Sequence, residues 1–355
     1  MARGGCFVFD SVVGARHGVP LQEEPIVAYD FAMSEAAFIH RCLSLAREGQ
    51  GKVGNGAMVG AVLVRDGRIT AEAFHEGFGK PHAERSLLEN FKERIEPSDI
   101  LYVNLEPCCH HGKTPPCTDI IIERGVKRVI IGMQDPDASV AGKGIAALRA
   151  TGISVEGPIE RASAEYLNRG FFSVRTKGRP FVTIHRAQTR DGQIAKPDGS
   201  PLKITSEEQD KWNHQFLRAR HDAIVVGVET IVRDDPRLTV RYNEASWQPL
   251  RIILDPRLRI PRDAHVVSDA EKDRTIIVTS VLAAEARDLR EKGVNVITVP
   301  SEKGVFHWPA LWTALTTPRE SFHGITSVLV EGGRRTWEIF EDAGMVDEEV
   351  MLVGV

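Results

Sequence analysis

Two stretches constrain what this chain can fold into more than any other feature. They are Pro81-His82-Ala83-Glu84 and the run Pro107-Cys108-Cys109-His110-His111-Gly112-Lys113-Thr114-Pro115-Pro116-Cys117. Together they hold an imidazole, a carboxylate and two well-separated thiols, the donor set that a water-activating zinc requires. Such a zinc takes three protein ligands and leaves the fourth position to a water, whose pKa it lowers towards neutrality. A fold that uses these groups has to bring two distant segments to one point. In His-x-Glu the side chains lie two residues apart, so at a helix start they converge on one pocket with different tasks. His82, Cys108 and Cys117 are read as metal ligands and Glu84 as the general acid/base.

The generic zinc-deaminase signature closes with Pro-Cys-x-x-Cys, whereas here eight residues, 109–116, separate Cys108 from Cys117. A structural zinc is one alternative, because Cys109, His110 and His111 share the loop. Structural sites are usually closed and four-coordinate, often with paired C-x-x-C knuckles, and the chain contains no C-x-x-C. Redox-active thiols are another alternative, but no βαβ context surrounds them. The catalytic zinc is the reading adopted.

A length of 355 residues accommodates two domains of ordinary size. Hydrophobic residues make up 42% and charged residues 26%, a balance that supports buried cores in a soluble protein. Net charge is −4 with no long basic run, so nucleic acid is not favoured as a partner. Five cysteines, three of them in one loop, fit a reducing compartment and hence a cytoplasmic location. No apolar stretch approaches the roughly 20 residues that span a membrane. The expected partner is a small molecule and the expected assembly a homo-oligomer.

At the N-terminus, Asp10 breaks the apolar run Cys6–Phe9 and no small-residue cleavage site follows, so a signal peptide is not read there. Residues 1–32 are taken as an extension outside the chemistry. From Met33 a helical pattern begins, with Phe38, Ile39, Cys42, Leu43 and Ala46 on one face. Met58 to Val64 and Ile69 to Phe74 read as a hairpin around Asp66-Gly67. A helix is predicted over 82–94, a strand over Ile100 to Leu105, and a helix over Asp119 to Arg124 capped by Thr118. A strand from Val126 to Gly132, a helix at about 144–150 and a strand near Ile153 to Val155 complete an α/β three-layer pattern. Both halves of the zinc motif fall at helix starts, whose positive ends suit thiolates.

These motifs, with Asp135-Pro136-Asp137 and Val140-Ala141-Gly142-Lys143-Gly144, resemble the bifunctional riboflavin-biosynthesis deaminase/reductase family. The resemblance runs from Met33 to the end. It implies a cytidine-deaminase-like domain over 33–160, a linker over 161–180 and a dihydrofolate-reductase-like domain over 181–355. It implies hydrolytic deamination of 2,5-diamino-6-(5-phosphoribosylamino)pyrimidin-4(3H)-one, with zinc on His82, Cys108 and Cys117 and Glu84 as acid/base. Other deaminases of this fold, acting on a base, nucleoside or tRNA, are the competing reading, and the long inter-cysteine loop argues against them. By the same resemblance Asn55, His75, Lys113 and Thr114 contact substrate; a lysine and a hydroxyl are apt for a ribose phosphate. The family writes Asn-Pro-x-Val-Gly where this chain has Asn55-Gly56-Ala57-Met58-Val59-Gly60, one residue longer and without the proline.

The second half also alternates strands and helices. Phe181 to Ile184, Ala223 to Gly227, Leu250 to Leu254, Thr275 to Thr279, Val294 to Val299 and Ser327 to Val330 read as strands of one mostly parallel sheet. Lys211 to Arg220 reads as a helix. No G-x-G-x-x-G follows a strand, so a Rossmann dinucleotide site is not supported. The blocks Gly227 to Arg241 and Val330-Glu331-Gly332-Gly333 resemble the family's reductase half, which binds NADPH and reduces the ribosyl chain of the deaminated product to ribityl. The resemblance implies substrate contact by Arg218, Leu238, Arg241 and Glu331, and cofactor contact by Ala187, Thr230, Asp234 and Gly333. Arginines are apt phosphate clamps.

Departures concentrate in this half. Ile184-His185-Arg186 stands for the family's Leu-Lys-Leu, and Pro201-Leu202-Lys203-Ile204-Thr205 for Ser-x-Trp-Ile-Thr. Proline offers no side-chain hydrogen bond and lysine no flat indole. The chain also stops in an apolar strand, Met351 to Val355, where the family continues, so the reductase domain is read as C-terminally incomplete. Low reductase activity is predicted, with the deaminase residues untouched.

Overall fold

The structure, a computed structural model, describes residues 6–9, 34–138, 140–194, 196, 202–242, 247–320 and 322–354. Pro201, Met33 and most of the N-terminal extension fall outside the described residues. The chain forms two units. One comprises Gln22–Arg179 with Pro318–Thr326, and the other Met1–Leu21, Pro180–Thr317 and Ser327–Val355.

Unbroken apolar runs become strands in the first unit because both faces of its sheet are covered. Leaving Cys6–Phe9 (β1) to the other unit, its strands are Gly60–Arg65 (β2), Arg68–Phe74 (β3), Ile100–Val103 (β4), Arg128–Ile131 (β5) and Ser154–Glu156 (β6), in the order β3-β2-β4-β5-β6. The β2–β3 hairpin turns on Asp66 and Gly67, both at positive φ, as a tight right-twisted hairpin requires. β2 runs antiparallel to β4, and β4, β5 and β6 are parallel.

Side chains alternate across each strand, and the two cores divide accordingly. Ala61, Leu63, Leu101, Val103, Val129 and Ile131 face Leu87, Leu88, Ile121 and Leu148. Those come from helices Ala83–Asn90 (α2), Cys117–Glu123 (α3) and Lys143–Ala150 (α4). On the other face Val62, Val64, Tyr102 and Ile130 pack on Phe38, Ile39 and Cys42 of helix Glu35–Arg47 (α1), capped by the Ser34 side chain. Ala164 and Phe171 join that second core from helices Arg161–Leu167 (α5) and Arg169–Lys177 (α6). The segment read as a linker thus packs in the first unit. This is a three-layer α/β/α sandwich.

The helix after the cysteine loop starts earlier than its sequence pattern predicts. Its first residue is Cys117, Pro116 precedes it, and Thr118 is buried in the first turn rather than acting as a cap. The predicted helix over 82–94 ends at Asn90.

In the second unit all eight strands of the main sheet are parallel. They are β1, Phe181–Gln188 (β7), Ala223–Gly227 (β8), Leu250–Leu254 (β9), Thr275–Thr279 (β10), Asn295–Thr298 (β11), Ser327–Val330 (β14) and Glu348–Val353 (β15); Ser301–Glu302 (β12) and Val305–Phe306 (β13) form a separate small hairpin. The order is β1-β15-β7-β14-β8-β9-β10-β11. Cys6–Phe9 pairs with Glu349 to Leu352, so β15 has a neighbour on each side.

The segment predicted as one helix over Lys211 to Arg220 is wound three ways. Glu207–Trp212 is α-helical, with Ser206 and Gln209 forming a reciprocal capping box. Asn213–Leu217 is a π-helical turn and Arg218–Arg220 a 3₁₀ turn. Wide turns of this kind redirect side chains and recur at functional sites. Here the wide turn brings Asn213, and the 3₁₀ turn Arg218, onto one carboxylate, that of Glu331.

Candidate active site

In the first unit the two motif halves meet where helices begin. His82 is the extended residue just before α2, and Glu84 lies in that helix's first turn. Cys108 follows β4, and Cys117 opens α3. His82 Nδ1 is 3.5 Å from Cys108 Sγ and 3.5 Å from Cys117 Sγ. The three donor atoms lie within 4.8 Å of one another. The Cys117 main-chain N–H, one of the donors a helix start leaves unpaired, donates to Cys108 Sγ at 3.3 Å.

This geometry favours a thiolate. The Cys117 thiol donates to Cys108, and with His82 it holds Cys108 far below the usual thiol range, at about 4, against the effect of burial. The same contact, with burial, pushes Cys117 up. Binding a metal ion to two sulfurs and an imidazole releases the protons they hold. Glu84 is 3% exposed, and its Oε2 is buried without a hydrogen-bond partner. Burial first, then the neighbouring Cys108, raises its carboxyl to about 7. An S₂N donor set beside a buried carboxyl with one unpaired oxygen fits a catalytic zinc. Among the described residues this trio is the group of His, Cys and acidic side chains able to hold an ion, and Cys109, His110 and His111 lie outside it.

The cysteine loop is anchored by Glu106, the residue before Pro107, which the motifs of the sequence do not include. Its carboxylate accepts from the main-chain N–H of Asp135, Gly142, Gly144 and Ile145 at 2.9–3.2 Å. Gly144 passes so close that a Cβ would stand 2.0 Å from the Pro107 carbonyl oxygen. The available signal was an acidic residue directly before Pro-Cys, paired with a glycine-rich segment downstream.

His75 is buried, donates from Nδ1 to the Pro81 carbonyl at 3.1 Å, and sets its ring edge-on to His82 at 5.1 Å. Burial lowers its pKa and favours the neutral ring. Asn55 stands in the loop before β2, its main-chain N–H donating to the His323 carbonyl at 2.9 Å. Lys113 is exposed, with Nζ 4.0 Å from the centre of the Phe78 ring, and Thr114 is half-buried.

The second unit has its own cluster. Arg218 forks onto Glu331, Nε at 2.9 and 3.0 Å and Nη2 at 2.6 Å, while Nη1 donates to the Thr239 carbonyl at 2.9 Å. Asn213 Nδ2 donates to the same carboxylate at 3.3 Å, and His185 Nδ1 stands 3.6 Å away. Burial opposes the charge on Glu331, but Arg218 and His185 outweigh it and hold the carboxyl well below its usual range. His185 Nε2 is buried without a hydrogen-bond partner. His214 Nδ1 accepts from the Arg241 N–H at 2.9 Å. Burial, then Arg218 and Arg241, lower the His214 pKa to about 4.

Other positions named from the sequence are spread more widely. The Leu238 side chain is in the apolar core, so this residue has only main chain, at positive φ, to present to a ligand. Ala187 lies in β7, paired with Leu352. Thr230 and Asp234 are on helix Val228–Asp234, and Gly333 precedes helix Arg334–Asp342. Lys203 is exposed.

Residues 33–133 match the family of the cytidine and deoxycytidylate deaminase zinc-binding region, and residues 180–354 match the RibD C-terminal domain. The riboflavin biosynthesis protein RibD of Aquifex aeolicus is 40% identical over 316 residues, covering 89% of this chain and 85% of the relative. The chain belongs to the RibD family. A solved Acinetobacter baumannii RibD superposes with a TM-score of 0.76 at 30% identity, covering 90% of this chain and 86% of that one. A Thermotoga maritima protein described as a diaminohydroxyphosphoribosylaminopyrimidine deaminase/5-amino-6-(5-phosphoribosylamino)uracil reductase superposes at 0.73 with 37% identity, covering 87% and 83%. The order of a RibD protein, deaminase domain first and reductase domain second, is the order of the two sheets here. Among the described residues no helix is long and apolar enough to cross a membrane.

Proposed function

We propose that this chain works in riboflavin biosynthesis as a two-domain enzyme. Its first unit hydrolytically deaminates 2,5-diamino-6-(5-phosphoribosylamino)pyrimidin-4(3H)-one, and its second reduces the ribosyl chain of the product with NADPH. The observation that carries the first half is the convergence of His82, Cys108 and Cys117 beside the buried Glu84 carboxyl, whose Oε2 is unpaired. His82, Cys108 and Cys117 would hold the zinc, which when bound supplies the Lewis acidity that makes a water nucleophilic near neutral pH.

The protein's own contribution is proton handling. Glu84, with a carboxyl near 7, is matched to taking a proton from water and returning protons to the ring nitrogen and the departing ammonia. Its burial keeps bulk water from competing for that proton. His75, neutral and next to His82, offers a hydrogen bond to the pyrimidine. Lys113 and Thr114 offer a cation and a hydroxyl to the ribose phosphate.

For the reductase, helices Val228–Asp234 and Arg334–Asp342 begin just past β8 and β14, adjacent parallel strands. Open α/β sheets receive ligands at such strand ends, and positive helix ends suit phosphates. A Cβ on Gly333 would meet nothing within 4 Å, so a ligand can approach the backbone there. NADPH would lie against Ala187, Thr230, Asp234 and Gly333 and supply hydride. Arg218 is neutralised by Glu331, so exposed Arg241 is the better clamp for the substrate phosphate.

Metal analysis combined with ammonia-release and NADPH-oxidation assays tests the reading. Bound zinc with ammonia release from the pyrimidine phosphate is the expected result. Turnover of cytidine or adenosine instead would favour a different deaminase, and zinc without any turnover would leave a scaffold.

A further inference from the structure

Asn55 and Lys113, two of the four positions that the family resemblance gives to the deaminase substrate, share a support that comes from far along the chain. The Asn55 N–H donates to the His323 carbonyl at 2.9 Å. Next to it Gly54 has φ +61, and a Cβ there would stand 2.4 Å from the same carbonyl oxygen. The His323 ring stacks on Phe78 with centroids 4.4 Å apart and planes 19° apart. Lys113 Nζ lies 4.0 Å from the centroid of that Phe78 ring. The Phe78 ring is thus in contact with both the His323 imidazole and the Lys113 ammonium. The Phe78 N–H in turn donates to the Lys52 carbonyl at 2.9 Å, tying the ring to the loop that carries Asn55. His323 belongs to Pro318–Thr326, which lies between Thr317 and Ser327 of the other unit in sequence but packs with the deaminase unit.

We propose that His323 and Phe78 are positioning residues for deamination, holding the Lys113 ammonium and the Asn55 loop ready for the ribose phosphate. This rests on the deaminase reading above. A free surface lysine loses its rotamer freedom when it binds an anion. Docked over an aromatic face, Lys113 has given up part of that freedom before substrate arrives, and its N–H donors stay available to phosphate oxygens. The stacked imidazole stops the Phe78 ring from turning away. Asn55 is tied to the same residue through its main chain. The deaminase pocket therefore includes a segment that sequence order assigns to the reductase half.

The test is steady-state deamination by the full-length zinc-loaded chain, with the phosphorylated substrate and with its dephosphorylated riboside. His323→Ala and Phe78→Leu should each raise KM for the phosphorylated substrate about tenfold, the size of one lost phosphate-directed contact, with kcat within about twofold and zinc content unchanged. The riboside should be processed as before. His323→Phe should restore KM, because it keeps the stacked ring and the main-chain carbonyl. Ribose 5-phosphate binding by calorimetry should weaken in parallel, a readout that needs no turnover. In a Lys113→Ala background, His323→Ala should add little, as expected for residues acting through one another. Unchanged KM in both variants, or equal losses on riboside and phosphate, would overturn the proposal. If instead Glu84→Gln keeps full rate, it is the deaminase reading that fails.

Discussion

Arg218 and Glu331 form a forked ion pair with side chains only 14% and 7% exposed, and the Arg218 charge holds the carboxylate ionised despite its burial. Such a pair is strongly destabilising to break from one side, because the remaining charge is left buried and uncompensated. Arg218→Met or Glu331→Gln alone should cost the second unit about 3–5 kcal/mol in urea unfolding. The double variant should recover much of that loss. Single variants with unchanged unfolding midpoints would mean that the pair is open to solvent.

The same carboxylate faces His185, where the family has a lysine. His185 Nε2 has no hydrogen-bond partner and Nδ1 stands 3.6 Å from Glu331. A lysine there would reach Glu331 with a flexible ammonium, whereas His185 presents a short, rigid ring. His185→Lys should raise the rate of NADPH oxidation with the deaminated product, and His185→Ala should lower it. Equal rates in all three proteins would place His185 outside the reductase site.

His214 makes the second unit sensitive to acid. Its pKa is about 4 in the folded protein, against about 6.5 for a free histidine. Between those values the unfolded chain binds more protons than the folded one, so stability falls as pH drops through that window and is fully present above it. The charged groups acting on His214 are Arg218, Arg241, Glu331 and Asp210, and the two arginines oppose its protonation. Replacement by Asn keeps an acceptor for the Arg241 N–H and removes the titration. Urea midpoints at about pH 7 and about pH 5 should then differ less than in the parent protein. An unchanged difference would assign the acid sensitivity to other groups.

Glu84→Gln should retain zinc while cutting deamination by roughly 10²-fold or more. Cys108→Ser and Cys117→Ser should lose the metal. Zinc content measured alongside rate separates the two kinds of loss, and a near-normal rate in Glu84→Gln would remove Glu84 from the chemistry.

The zinc trio was legible because its chemistry is local: each ligand lies at a helix start or strand end that apolar runs reveal, as Ile100–Val103 and Ala83–Asn90 do. The parallel second sheet was legible for the same reason, its strands being short continuous apolar runs buried on both faces. What escaped depends on distant contacts. Nothing near His323 indicates that its ring will meet Phe78, and no periodicity marks Asn213–Leu217 as a wide turn whose Asn213 meets Glu331, distant in sequence. Cys6–Phe9 was recognised as apolar, but its partner in β15 lies at the opposite end of the chain.

Glu106 offers the sharpest separation of architecture from chemistry in the metal site. Its carboxylate takes N–H donors from Asp135, Gly142, Gly144 and Ile145, and the next two residues are Pro107 and Cys108. Glutamine has one acceptor oxygen, so Glu106→Gln would turn an NH₂ group towards donors already buried. Charge-assisted bonds of this kind contribute about 1.5–3 kcal/mol each, and groups that orient metal ligands commonly change metal affinity about 10–100-fold. Glu106→Gln should therefore lower the thermal midpoint of the first unit and weaken zinc binding in a chelator competition. The rate per bound zinc should stay close to that of the parent, since Glu84 and the ligands are intact. A fall in rate per bound zinc, with affinity unchanged, would instead place Glu106 in the reaction itself.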